Sequence, residues 1–393
     1  MRSYLLPMPP HGGVNYAGKF SLPMVSRRQT LSTAFSLVGA LATAPLARRL
    51  AAAETARTAA LATRRSGPAD GRVPYGTCVR PDPMDNEPDY RLTLESHCQQ
   101  LTPEGGLFWG YLRPTRDQFK FDFADRVLAF ADAHAMTMRG HTLVWYDAMP
   151  GWTKDIRSSA EAEHELVKHI EHVVSRYRGR IKTWHVVNEP IDDVKGGVAG
   201  LRPNVWLQNL GERYIDLAFR TAHRVDPSAE LLLNEHGVEG RDPVSPKRRQ
   251  AYLKLIHDLL ERGVPLHGVG LQGHILGKYQ IDRDGMFEFV SEIRSLGLSV
   301  HVTELDVIDH DLPGPVAVRD TIVAARSYDF LDSIFAAMRP SVVATWGITD
   351  RYTWVPTTFK RKDGLPNRPL PFDEFYRPKP MWNVIDYFCR LEG

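Results

Sequence analysis

The chain has 393 residues, 43% hydrophobic and 24% charged, a globular composition large enough for one extensive core. A formal charge of +2 argues against a nucleic-acid partner. Three cysteines at irregular spacing (Cys78, Cys98 and Cys389) form neither a disulfide framework nor a zinc pattern. Buried free thiols are the expectation, although a Cys78–Cys98 bridge is conceivable in an oxidising compartment.

Residues 1–53 hold six basic side chains (Arg2, Lys19, Arg27, Arg28, Arg48, Arg49) and no acid; the remainder carries 43 basic against 47 acidic residues. The run SRRQTL (Ser26–Leu31) leads into LSTAFSLVGALATAPLA, with small residues at Ala42, Ala44, Ala47, Ala51 and Ala53. A basic pair, an apolar run and then small residues look like a twin-arginine export signal, which would place the mature protein in the periplasm or outside the cell. Translation from Met24 would make that signal compact; a disordered basic leader or a misplaced start is the plainer reading. No other run of about 18 apolar residues occurs, so no membrane span is expected. Residues 54–70 read as a linker, and residues 71–393 as one domain.

Within that domain short apolar runs alternate with amphipathic segments. Strands are expected at Tyr75–Val79, Cys98–Thr102, Thr137–Val144, Ile181–Asn188, Glu230–Asn234, Gly268–Gln272, Ser299–Glu304 and Val342–Trp346. Most are apolar throughout, as for strands covered on both faces. Helices are expected at Glu161–Arg178, Val205–Val225, Pro246–Arg262, Met286–Leu296 and Val316–Met338, with Pro246 as a start signal and Gly263 as a stop. This alternation predicts an α/β fold, a single (β/α)8 TIM barrel, with a doubly wound sheet as the structural rival.

In such a barrel the chemistry sits at the C-terminal ends of the strands. Those ends carry Arg139, His141 and Trp145; Asn188-Glu189-Pro190; Asn234-Glu235-His236; Gln272-Gly273-His274; Thr303-Glu304-Leu305-Asp306; and Trp346, with Trp354 following. Glu189 and Glu304 come from opposite sides of the ring. Paired carboxyl groups suit glycoside hydrolysis, in which one donates a proton to the leaving oxygen and the other, ionised, attacks the anomeric carbon or activates water. Plainer readings stand beside this one. Asn188-Glu189-Pro190 alone could be a strand-to-loop turn, His141 or His274 a core histidine, Asp306 the partner of a barrel arginine, and Asn234-Glu235 a strand-end cap. Trp109, Trp152, Trp184 and Trp206 read as packing residues, and the runs Lys247-Arg248-Arg249 and Lys360-Arg361-Lys362 as solvated faces.

From about Tyr75 to Phe388 the chain resembles glycoside hydrolase family 10, the retaining endo-1,4-β-xylanases. The resemblance is carried by LTPE (101–104), FDFADRVLAFADAHAMTMRGHTLVW (121–145), WHVVNEP (184–190), GVGLQGHI (268–275), HVTELDV (301–307), TWGITDRYTW (345–354) and RPKPMW (377–382), in order and at barrel spacing. It implies Glu189 as acid/base and Glu304 as nucleophile, about 5–5.5 Å apart. Asn188 would donate to the sugar 2-OH, His274 would bond Glu304, and Asp306 would orient His274. Glu104, His141, Trp145, Gln272, Trp346 and Trp354 would line the sugar site. Neither metal nor cofactor is implied; a polysaccharide or oligosaccharide is the expected partner, and the expected state is a monomer.

The departures from the family pattern cluster. After the second strand the family reads Glu-Asn, two residues, then Lys-Trp-Glu; here the stretch is Glu104, Gly105, Gly106, Leu107, Phe108, Trp109 and Gly110. After the third strand Trp-His-x-Gln becomes Trp145-Tyr146-Asp147-Ala148. After the fifth, Asn-Asp-Tyr-Asn becomes Asn234-Glu235-His236-Gly237. In the family the missing groups of the second and third strands chiefly hold the second sugar on the non-reducing side. The expectation is therefore an active β-glycanase with an altered distal glycone subsite, for which plain xylan could be a poor substrate. A bacterial exopolysaccharide, a substituted hemicellulose or a β-glucan are alternative substrates, and a carbohydrate-binding barrel without catalysis is the rival of another class.

Overall fold

The computed structural model describes residues 71–192 and 200–391. The expected leader at 1–53 and linker at 54–70 lie outside the described residues, as do residues 193–199. None of the described helices is long and apolar enough to cross a membrane.

Eight parallel strand positions close into a ring. In chain order the strands are β1 (Tyr75–Val79), β2 (Gln100–Pro103), β3 (Thr137–Val144), β4 (Thr183–Asn188), β5 (Glu230–Glu235), β6 (Gly268–Leu271), β7 (His274–Leu276), β8 (Ser299–Ile308) and β9 (Val343–Thr345). Pairing runs β1 to β6 in sequence, then β6 to β8, β8 to β9, and β9 back to β1, all parallel. The doubly wound rival is excluded, because an open sheet has two edges and this one has none. The short β7 pairs with the outer part of β8. It is the continuation of β6, interrupted at Gly273, whose φ of 76° suits glycine. A Cβ there would press on the Phe330 ring at 3.0 Å and on the Leu305 backbone at 3.3 Å. That kink separates Gln272 and His274, which serve two different carboxylates.

Helices surround the ring where their apolar stripes predict. One long helix, α1 (Ser159–Arg176), is capped by Ser158, whose hydroxyl accepts the Glu161 N–H, and buries Leu166, Ile170, Val173 and Val174. The single helix expected at Val205–Val225 is two, α2 (Val205–Leu210) and α3 (Arg213–Val225). Gly211, at φ 64°, ends the first in a left-handed turn. Cys98 closes the preceding helix rather than opening β2. On the face of β4 opposite His185, against Tyr177 at the end of α1, Trp184 occupies the space that a side chain at Gly140 would need: a Cβ there would lie 2.1 Å from the indole. Trp109, Trp184 and Trp206 are fully buried. All three cysteines are free and buried, so no Cys78–Cys98 bridge forms.

The solvated-face reading of the two basic runs is corrected for three residues. Arg248, Arg249 and Arg361 are buried, while Lys247, Lys360 and Lys362 are exposed. Long guanidinium side chains bind loop carbonyls at the rim: Arg249 donates to Val238 O at 2.6 Å and Arg361 to Leu312 O at 2.9 Å.

Candidate active site

The C-terminal mouth of the barrel gathers the residues singled out at the strand ends. Glu304 on β8 is buried, and its Oε1 accepts the Asn234 Nδ2 donor at 2.7 Å. Its Oε2 lies 3.3 Å from His274 Nε2, and His274 Nδ1 lies 2.9 Å from Asp306 Oδ1. The other Asp306 oxygen accepts the Trp354 indole N–H at 2.7 Å. The result is a fixed relay of Trp354, Asp306, His274 and Glu304. Burial alone would neutralise His274, but Asp306 and Glu304 outweigh it and hold the imidazole well above its ordinary value. Burial would likewise protonate Glu304; His141, His274 and Arg139 together hold it below the usual carboxylate value. Burial pushes His141 itself down to about 4, so near neutral pH the charge that keeps Glu304 ionised comes from His274 and Arg139.

Glu189 follows β4 and faces the same space. Its Oε1 accepts Gln272 Nε2 at 3.1 Å, with Asn188 Nδ2 at 3.4 Å. Asn188 Oδ1 in turn accepts Asn234 Nδ2 at 2.7 Å and Gln272 Nε2 at 3.2 Å. One hydrogen-bonded chain thus joins the two carboxyl groups through Gln272, Asn188 and Asn234. It also spends the Asn188 oxygen on protein partners and leaves the amide nitrogen as that residue's donor.

Asn234 is the residue whose position the sequence displayed without its role. It sits opposite Asn188 in the β4–β5 register, so both side chains share one face of the ladder. Rather than capping a strand, it contacts Asn188 and Glu304 and accepts from the Thr303 hydroxyl at 2.9 Å. Arg139 likewise stands at a strand end without an expected role, and two other residues, His185 and Arg202, escaped sequence reasoning. Arg139, fully buried, donates to Thr303 O at 2.6 Å. His185 lies 2.7 Å, Nδ1 to Nδ1, from His141. Arg202 lies over the Tyr146 ring at 4.5 Å. His185 lies inside an apolar strand and Arg202 fourteen residues past the end of β4, so no strand-end rule points to either.

One wall of the mouth is aromatic. Cys78, Phe108, Trp145 and Trp346 form one buried cluster, with Tyr146, Ala148 and Trp354 packed against it. Phe108 meets Trp145 at 5.0 Å and His141 at 5.6 Å between ring centroids. Glu104 is held by Arg80 in a two-pronged pair at 2.6 and 2.8 Å. Gly110 donates its N–H to Ala148 O at 2.7 Å, and a Cβ on it would collide with that oxygen. These contacts link the altered stretches after β2 and β3.

Among the described residues, His141, His185 and Glu304 approach metal-ligand spacing, their ligating atoms lying within 4.8 Å of one another. The surroundings oppose a cation. The two Nδ1 atoms already face each other in a hydrogen bond, and Arg139 and the His274 cation act on Glu304 from beside it. The arrangement suits proton transfer and attack by an ionised carboxylate without a metal.

Comparison with known proteins agrees with this chemistry. Residues 64–387 match the family described as glycosyl hydrolase family 10. The chain is 33% identical over 307 residues to endo-1,4-beta-xylanase B of Paenibacillus barcinonensis, covering 74% of this chain and 89% of that one. It is 34% identical over 330 residues to endo-1,4-beta-xylanase A of Thermoanaerobacterium saccharolyticum, covering 80% of this chain but only 27% of that longer protein. Xylanase 10B of Thermotoga petrophila RKU-1, solved in complex with xylobiose, superposes with a TM-score of 0.73 at 29% identity, covering 83% of this chain and 98% of that one.

Proposed function

This chain belongs to glycosyl hydrolase family 10 as an endo-1,4-β-xylanase-like glycosidase, and from that premise we propose that it cleaves β-1,4 linkages of xylan or a related polysaccharide by double displacement. The observation that carries the mechanism is the asymmetry of the two carboxyl groups. Glu304 is buried among His274, Arg139 and Asn234 and held ionised. Glu189 is held by the neutral amides of Gln272 and Asn188.

Glu304 attacks the anomeric carbon while Glu189 gives its proton to the departing glycosidic oxygen. A covalent glycosyl-enzyme forms and the sugar leaving group departs. Glu189, now ionised, takes a proton from water, whose oxygen attacks the anomeric carbon and releases Glu304. Asn188 would hold the 2-hydroxyl with the amide N–H that is not given to Glu189. Trp346, Trp354, Trp145, His141 and Gln272 would surround the sugar next to the cleaved bond.

The finer reading concerns specificity. Phe108 packed on Trp145, the Glu104 carboxylate tied to Arg80, and the Gly110–Ala148 contact support a distal glycone subsite poorer in polar donors than the family pattern. A site built to bond hydroxyls discriminates strongly against analogues that leave its groups unpaired, and its apolar counterpart favours other sugars. A substituted hemicellulose or a β-1,4-linked exopolysaccharide then becomes a substrate candidate. The arginine pair Arg27-Arg28 ahead of an apolar run supports export of the barrel; N-terminal sequencing of the secreted form tests that.

Activity of protein lacking residues 1–53 on xylan, aryl β-xylobioside, aryl β-cellobioside and bacterial exopolysaccharides, beside Glu304→Ala, tests the proposal. Cleavage of at least one, abolished by the substitution, is expected. Retained sugar binding with no cleavage of any would favour a binding protein instead.

A further inference from the structure

Glu189 is one of the few non-glycine residues in the left-handed backbone region, at φ 52°. Such a conformation is strained for a residue with a side chain and persists only where its surroundings impose it. The polar backbone atoms of the turn that carries Glu189 identify what imposes it. The Glu189 N–H donates to Asn234 O at 2.8 Å. The Glu189 carbonyl accepts Arg202 Nε at 3.1 Å, and the Ile191 carbonyl accepts Arg202 Nη2 at 3.0 Å. Between them, the Pro190 carbonyl accepts the Arg202 backbone N–H at 2.7 Å. The Ile191 N–H donates to Glu235 Oε2 at 3.0 Å, and Ile191 pairs in antiparallel fashion with Leu201. Pro190 has no N–H to satisfy. Among the described residues Arg202 supplies donors for three consecutive carbonyls.

The side chain that makes this grip is itself held. Its guanidinium lies over the Tyr146 ring at 4.5 Å, and its Nη2 is 3.4 Å from His236 Nε2. His236 Nε2 is in turn 3.9 Å from Glu189 Oε2. A planar fork can bridge two carbonyls two residues apart; the single nitrogen of a lysine cannot hold both in the same geometry.

We propose that Arg202 is a positioning residue that holds the Glu189 turn in its left-handed conformation and so aims the acid/base carboxyl at the glycosidic oxygen. This rests on the reading of Glu189 as acid/base. Arg202 touches neither substrate nor reacting atoms in this role. Its loss rotates the turn, and about 1 Å of misplacement costs on the order of 10²-fold in rate.

The experiment uses Arg202→Met, which keeps the side-chain stem, and Arg202→Lys, which keeps the charge, with Glu189→Ala as the reference. Two substrates separate a mis-aimed acid from general damage. Xylotetraose has a poor leaving group that needs the proton; 2,4-dinitrophenyl β-xylobioside has a good one that does not. Azide reports the second step, because it attacks the anomeric carbon of the glycosyl-enzyme without a base, displacing the Glu304 carboxylate to give a glycosyl azide. For both Arg202 variants kcat/KM on xylotetraose should fall by about tenfold to a hundredfold. On the dinitrophenyl substrate it should fall by less than about threefold, and azide should accelerate turnover there. Equal losses on both substrates with no azide effect, or no loss on either, overturn the proposal. If Glu189→Ala shows the leaving-group and azide pattern and Arg202→Met does not, the role of Arg202 fails alone. If Glu189→Ala lacks the pattern, the acid/base assignment fails and the proposal with it.

Discussion

Two halves of the barrel mouth follow the family pattern to different degrees. Around the two carboxyl groups Asn188, Glu189, Gln272, His274, Glu304 and Asp306 match the family pattern and are joined, through Asn234, by hydrogen bonds of 2.7 to 3.4 Å. On the other side, the proposed glycone side, the positions after β2 and β3 that the family fills with polar groups hold Gly105, Phe108, Gly110, Tyr146 and Ala148. The physical difference is connectivity. Each polar group near the bond serves two partners, so one loss strands another buried group at a cost of about 1–3 kcal/mol. The glycone wall is an assembly of ring contacts, which tolerates exchange of one apolar surface for another.

The largest effect expected in either half is at the proposed nucleophile. Glu304→Ala should lower turnover of aryl β-xylobioside by about 10⁴-fold or more; a tenfold loss would remove Glu304 from the chemistry. Asn234→Ala should come next, with kcat/KM down on the order of 10²-fold, since Glu304 and Asn188 both lose their donor. An unchanged value would mean that the chain of amides does not bear on catalysis. Phe108→Lys probes the other half. By returning the family's cation to the glycone wall it should raise kcat/KM on linear xylotetraose about tenfold, and a decrease there would remove the specificity argument.

Titration sharpens the contrast further. A carboxylate with a depressed value is ionised and competent above it, and loses competence as pH falls through it. His274→Gln removes one of the cations holding Glu304 down, so the acid limb of the kcat/KM profile should move to higher pH. A limb that stays in place would show that Glu304 does not set it. Gly140→Ala lies on β3 facing the Trp184 ring, away from both halves. It should destabilise the fold by about 1–3 kcal/mol through the Trp184 ring, as read by chemical denaturation, with kcat changed least of all.

What the sequence made legible follows the same division. The parallel barrel was readable because its strands are short and apolar between amphipathic helices. The strand-end positions were readable because a barrel presents chemistry at one face. The kink at Gly273 and the break at Gly211 depend on left-handed glycines, which apolar periodicity does not record. The bridging role of Asn234 depends on β4–β5 register. Arg139, His185 and Arg202 acquire their contacts only when distant segments meet. The burial of Arg248, Arg249 and Arg361 was misread because a basic run looks the same whether its guanidinium groups face water or loop carbonyls.

The measurement that bears most directly on a kept centre beside a rebuilt glycone wall compares aryl β-xylobioside with aryl β-xyloside. The two differ by one sugar, placed on the glycone side. The account predicts cleavage of both, with the second sugar raising kcat/KM by less than about tenfold, because the wall offers it few hydrogen bonds worth about 1 kcal/mol each. A gain of a hundredfold or more would show a distal subsite still built to bond that sugar, and would contradict the account.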